Sequence, residues 1–124
     1  MTKILFAKNA PRPIGPYSQG MEIDGFIFLS GQIGIQPETA EVADGLAQQT
    51  LQVMKNISEV LQSAGCSFSQ VVKTTVYLKN MNDFTEFNKI YSEYFKDNPP
   101  VRTTVEVSSL PRNALIEIDI IAHK

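Results

Sequence analysis

Arg102 and Glu117 are the residues of this chain best equipped for chemistry, because each places a charge inside an otherwise apolar run. An arginine presents a planar, permanently charged fork that can hold a carboxylate through two parallel hydrogen bonds. A carboxyl between Ile116 and Ile118 loses water on burial. That loss raises its pKa toward the range where it can take up and return protons near neutrality. Asn88 is a third candidate, since it interrupts an aromatic stripe between Phe84 and Tyr91. A polar group there needs a partner, either backbone or ligand. Spacing alone leaves a plainer alternative open, in which Arg102 forms a salt bridge with Glu117 or Asp119 and Glu117 is a surface acid.

Other chemistries are poorly supplied. The single histidine, His123, is the penultimate residue, which leaves neither a zinc site nor a Ser-His-Asp triad a usable imidazole. Cys66 follows Gly65 with no base nearby and no second cysteine for a disulfide. Glycine-rich phosphate loops of the G-x-G-x-x-G and G-x-x-x-x-G-K-[ST] kinds are absent. The reading is therefore of a site without metal or cofactor.

Positioning these residues requires a sheet and helices. Apolar residues at Leu46, Val53, Met54, Ile57, Val60, Leu61 and Ala64 predict a helix over Leu46–Ala64, with Gly65 as its stop. A second helix is predicted from Asp83 to Lys96. Asp83 and Glu86 resemble a capping box, Pro99-Pro100 lie beyond the end, and an aromatic face packs on a sheet. Strands are predicted at Ile4–Ala7, Gly20–Asp24, Phe26–Ser30, Val71–Leu78, Val101–Val107 and Leu115–Ala122, with a tight turn at Asp24-Gly25.

At strand period, Val101, Thr103, Val105 and Val107 share one face and Arg102, Thr104, Glu106 and Ser108 the other. In the later run Ile116, Ile118, Ile120 and Ala122 line one face, and Leu115, Glu117, Asp119 and Ile121 the other. Pairing oily with oily puts Arg102 and Glu117 together on one charged sheet face. Two helices cover only one face of such a sheet. The uncovered face would carry that charged set with Lys73, Thr75 and Tyr77, and the mixture points to a homo-oligomer whose interface it is.

Length and composition set outer bounds. The chain has 124 residues, 43% of them hydrophobic and 9% aromatic, as expected for one globular domain spanning 1–124. A net charge of −2 with a pI near 5.3 argues against a nucleic-acid footprint, which needs clustered lysine and arginine. No apolar run approaches the roughly 20 residues that span a bilayer, and Met1–Ala10 has no signal-peptide core. Together with the single cysteine, this predicts a cytoplasmic protein.

The segments Gly15-Pro16-Tyr17-Ser18-Gln19-Gly20 and Leu29-Ser30-Gly31-Gln32, followed by Arg102 to Glu117, closely resemble the RidA/YjgF enamine/imine deaminases. The resemblance covers nearly the whole chain, with three motifs in the right order and spacing. It implies a chorismate-mutase-like α+β fold, with a mixed six-stranded sheet and two helices on one face. It also implies a homotrimer with the sheets facing inward and three clefts between subunits. In such a fold the final strand can insert elsewhere in the sheet instead of forming a hairpin with its predecessor.

By the same resemblance, Arg102 matches the arginine that grips a substrate carboxylate and Glu117 the acid that helps activate water. Tyr17, Ser30, Gly31 and Asn88 match residues lining that cleft. Thr104 departs from the cysteine common there, which excludes thiol chemistry while leaving a backbone contact available. The implied reaction is hydrolytic deamination of 2-enamino or 2-imino acids such as 2-aminoacrylate, giving 2-keto acids and ammonia. A protein that binds keto acids or amino acids without turnover uses the same residues and is the alternative. A ribonuclease or translation inhibitor fits least, for want of a basic stripe.

Overall fold

A computed structural model describes all residues from 1 to 124. Runs of alternating apolar residues form β1 (Thr2–Leu5), β2 (Gly20–Ile23), β3 (Phe26–Leu29), β4 (Gln32–Ile33), β5 (Val71–Leu78), β6 (Val101–Glu106) and β7 (Ile116–His123). The helices are α1 (Gly45–Ser63) and α2 (Phe84–Tyr91). The sheet order is β1-β2-β3-β7-β5-β6, with the two-residue β4 also pairing with β7. The β5–β6 pair is parallel and the others are antiparallel. Thus β7 does not form a hairpin with β6 but lies between β3 and β5.

Local chemistry accounts for the element ends. Asp24 and Gly25 turn the β2–β3 hairpin with φ of 51° and 83°. That double left-handed geometry tolerates Asp and Gly and matches strand twist. Helix α1 stops as expected, because the Gly65 and Cys66 amides donate to the Gln62 and Leu61 carbonyls, both at 2.9 Å.

Several expected boundaries shift. Strand β1 begins at Thr2 and ends at Leu5 instead of reaching Ala7, because the Ala7 amide is taken by the Gln19 side chain at 2.6 Å. The regular part of α2 ends at Tyr91 instead of Lys96 and continues as tighter turns, with the Glu93 and Tyr94 amides bonding Ile90 and Tyr91. Asp83 makes no side-chain cap. The cap is instead made one turn earlier, where Asn80 Oδ1 accepts the Asn82 amide at 2.9 Å. The seventh strand, β4, was too short to carry a periodic signal.

Both helices cover one face of the sheet. Ile116, Ile118, Ile120 and Ala122 of β7 are buried there with Val53, Ile57, Val60 and Leu61 of α1 and Phe87 and Tyr91 of α2. The opposite face has no cover, and Ile4, Met21, Phe26, Phe28, Val101 and Val105 are exposed.

The register reverses one expectation. Residues directly opposite each other in neighbouring strands project to the same face. Thr74 is opposite Arg102 on one side and Ile120 on the other, so all three point toward the helices. Tyr77 is opposite Val105 and Glu117, which point to the open face. Arg102 and Glu117 therefore do not share a charged face. The valines of β6 face outward because this edge strand lies at the limit of the helical layer, where the inner side is only half covered.

Candidate functional site: two groups of residues on opposite faces

Glu117 lies in a cleft of about 510 Å³ lined also by Ile14, Tyr17, Ser30, Gly31, Ile33, Ile35, Pro111 and Arg112. Three of the expected site residues therefore do gather around this carboxyl. The bend between β3 and β4 brings Gly31 against it. A Cβ on Gly31 would overlap the Glu117 carboxylate and lie 2.8 Å from its Cδ. Only a glycine leaves that space to the carboxyl group.

The walls of the cleft are held by buried amides. Gln19 is almost fully buried, accepts the Ala7 amide and donates to the carbonyls of Ala7 at 3.1 Å and Pro11 at 2.9 Å, pinning the loop that carries Tyr17. The Tyr17 hydroxyl accepts the Ile14 amide at 3.3 Å, and the Ser30 hydroxyl donates to the Ser18 carbonyl at 2.6 Å. From α1, Asn56 donates to the carbonyls of Ile33 and Ile35 at 3.3 and 2.9 Å, and Gln49 Oε1 accepts the Leu115 amide at 2.8 Å. Helix α1 thus positions both the β4 wall and the start of β7.

Burial pushes the Glu117 carboxyl above the ordinary carboxylate range, and the like charge of Asp119 adds to that rise. Asp119 is held on the same face by the Tyr77 hydroxyl, which donates to Oδ2 at 2.9 Å. That hydrogen bond, followed by burial, raises the Tyr77 phenol in turn.

Arg102 stands on the other side of the sheet. Its Nη1 donates to Asn88 Oδ1 at 2.7 Å, and its guanidinium carbon lies 4.9, 5.4 and 5.6 Å from the ring centres of Tyr91, Phe84 and Phe87. The aromatic stripe of α2 therefore does more than pack, since its ring faces hold the cation. Tyr91 is fixed by a hydroxyl contact with Thr74 at 2.8 Å, and burial raises its phenol. No carboxylate pairs with Arg102: the salt bridges are Lys96–Glu93 and Lys124–Glu22. A bridge to Glu117 or Asp119 is excluded by the face on which each stands. Two residues along β6, the Thr104 hydroxyl oxygen is buried without a hydrogen-bond partner.

The seven expected site residues thus fall into two groups: Tyr17, Ser30, Gly31 and Glu117 around one cleft, and Asn88, Arg102 and Thr104 at the β6 edge. A sequence model of the family described as Endoribonuclease L-PSP matches residues 7–124. The chain belongs to this family.

Relatives carry the resemblance to RidA/YjgF proteins through the whole length. A RutC family protein of Pyrococcus horikoshii is 50% identical over 125 residues, covering 100% of this chain and 99% of that protein. The human 2-iminobutanoate/2-iminopropanoate deaminase is 45% identical over 121 residues, covering 97% of this chain and 88% of the relative. Among solved structures, a Rid family protein of Yersinia pestis superposes with a TM-score of 0.97 at 44% identity, covering 100% of both chains. The fold is the α+β fold of those proteins, two helices on a mixed and mostly antiparallel sheet.

Ile14 and Arg112, which line the cleft around Glu117, and Gln19, which holds its wall, were not foreseen as site residues. Gln19 lay inside the Gly15–Gly20 motif, where a glutamine among small turn residues was the available signal. Arg112 had none, being one arginine in a short turn, where its φ is 59°. No three His, Cys, Asp or Glu side chains stand together as metal ligands would, and no helix is long and apolar enough to cross a membrane.

Proposed function

We propose that this chain hydrolyses 2-enamino and 2-imino acids, such as 2-aminoacrylate and its imine, to 2-keto acids and ammonia. The site is completed when the Arg102 edge of one copy meets the Glu117 cleft of another, in a homotrimer closed over the open sheet face. The observation that carries this reading is the separation of Arg102 from Glu117 by the sheet, which leaves each half-site chemically incomplete. Arg102 is oriented by Asn88 yet lacks a carboxylate partner, and the nearby Thr104 hydroxyl is buried and unpaired. Both are what a substrate carboxylate would satisfy.

In the proposed reaction Arg102 holds that carboxylate while water adds to C2. Glu117 takes a proton from the attacking water and delivers it to the imine nitrogen, giving a carbinolamine; it then takes the proton of the new C2 hydroxyl and passes it to the amino group, so that the C–N bond breaks as the C=O forms and ammonia leaves with a 2-keto acid. A carboxyl raised by burial suits both transfers near neutral pH. Such imines also hydrolyse unaided, so positioning and one proton handler suffice. The human relative's name, an imine deaminase at 45% identity, supports the same reaction class.

The test couples an amino-acid oxidase or dehydratase to semicarbazide trapping. Wild-type protein should suppress semicarbazone formation, and Arg102→Ala or Glu117→Gln should lose that effect while remaining assembled. Full activity in Arg102→Ala would sink the assignment. Binding of 2-keto acids with no effect on trapping would make this a binding protein.

A further inference from the structure

Next to the Glu117 cleft lies a second recess of about 250 Å³ that the deaminase reading does not use. Its walls include Lys8, Arg12 and Arg112, with no acidic residue among them. Ile14, Ile35 and Arg112 line both cavities, so the two are joined along an apolar floor with Arg112 at the junction. None of the three cations forms a salt bridge, although Lys8 also borders an adjoining hollow that holds the carboxylates of Glu38 and Glu59. Arg112 spends one N–H on the Ala40 carbonyl at 3.0 Å, which leaves the rest of its donor fork free.

Two further facts make the recess unusual. The chain as a whole carries a net charge of −2, so a hollow lined by Arg12 and Arg112, neither in a salt bridge, opposes its overall sign. Arg112 is also held at φ of 59°, a conformation that costs free energy in a long side-chain residue and persists only where the surroundings impose it.

We propose that this recess receives a second anionic group at the far end of the substrate, so that the chain prefers dicarboxylic 2-imino acids to monocarboxylic ones. The reacting C2 lies by Glu117, the intervening methylene groups lie on Ile14 and Ile35, and the distal carboxylate meets Arg112, Arg12 and Lys8. With 2-iminoglutarate, addition of water releases 2-oxoglutarate and ammonia. The identity of the reacting group rests on the deaminase reading; recognition of the distal anion rests on the recess alone.

The experiment has two arms. In the first, 2-iminopropanoate and 2-iminoglutarate are generated from alanine and glutamate by amino-acid oxidases, and kcat/KM for each is read by semicarbazide competition. Wild-type protein should favour 2-iminoglutarate, and the double substitution Lys8→Gln, Arg12→Gln should lower that preference about a hundredfold, the scale of two lost charge-assisted contacts. Equal values for the two substrates, or a preference untouched by the substitutions, overturns the proposal.

In the second arm, titration calorimetry compares 2-oxoglutarate with pyruvate on wild-type and doubly substituted protein. Tighter 2-oxoglutarate binding that the substitutions abolish supports the recess even if neither imine is turned over, in which case the deaminase reading alone fails. Equal binding of the two keto acids overturns the recess proposal whatever the turnover.

Discussion

Arg102 and Glu117 are held on opposite sides of one sheet: Arg102 is opposite Thr74 under the helices, and Glu117 is opposite Tyr77 on the open face. A rigid sheet prevents the two side chains of one copy from meeting over one small molecule. Any chemistry that uses both must draw them from different copies.

Mixing variants tests this. Arg102→Ala and Glu117→Gln proteins should each be inactive alone, and co-refolded in equal amounts should regain about a quarter of wild-type activity. The fraction follows because each cleft draws its two halves independently from a closed ring of copies. No recovery after verified subunit exchange would place both residues in one copy's site.

The raised Glu117 carboxyl gives a pH signature. If it acts as the base, kcat/KM falls on the acid side as Glu117 becomes protonated. Asp119→Asn removes the like charge that adds to the rise, so that limb should move to lower pH. In stability the sign is opposite to that of a salt-bridged acid. A carboxyl raised by folding contributes stability that is full below its unfolded pKa and lost as pH rises through its folded pKa. Glu117→Gln should therefore gain thermal stability over wild type near neutral pH, and the gain should vanish below the ordinary carboxylate range, as read by melting temperature across pH.

Gly31→Ala should separate geometry from folding. The added methyl occupies the space of the Glu117 carboxylate, which can swing aside because it ends a flexible side chain. Turnover should fall about a hundredfold, the typical cost of displacing a catalytic group by an ångström, while the melting temperature changes little. An unchanged rate would show that the carboxyl position is not critical.

The open face predicts assembly. Phe28 is 43% exposed on it and is opposite Met21 and Ile121. Phe28→Asp should give a monomer by sedimentation with unchanged far-ultraviolet circular dichroism, and the proposed deaminase activity should be absent from it, since the Arg102 and Glu117 groups of different copies could no longer meet. An active wild-type monomer would contradict both expectations.

Gln19→Ala should destabilise the chain by about 2–4 kcal/mol in urea unfolding, since it leaves the Ala7 amide and the Pro11 carbonyl without their partner, the Ala7 carbonyl keeping the Ala10 amide. A substitution at exposed Lys3 under the same conditions serves as the reference.

The helices and long strands were legible because burial writes a period into their residues: Ile116, Ile118 and Ile120 alternate, and Val53, Ile57 and Val60 recur at helical spacing. The orientation of β6 was not legible. Its valines follow the same alternation as a buried strand, and only the parallel register to β5 shows that they face outward. Arg102 and Glu117 were both identifiable as unusual charges, but periodicity assigned them to one face by assuming that every oily side turns inward. Gln19, Gln49 and Asn56 escaped because a buried amide has no pattern of its own; its place depends on carbonyls far away in the chain, as Asn56 shows by bonding Ile33 and Ile35.

The central place of β7 has a consequence for biosynthesis. This strand follows every other in the chain, yet it is the one that joins the β1–β3 meander to the β5–β6 pair. While a ribosome is still translating the preceding residues, those two blocks have unsatisfied edges facing an empty slot. Glu117 arrives with the strand that fills it. A nascent chain therefore acquires Glu117, the carboxyl to which we assign the proton transfers, in the same event that completes the sheet, and a fragment ending before β7 has neither the joined sheet nor that carboxyl.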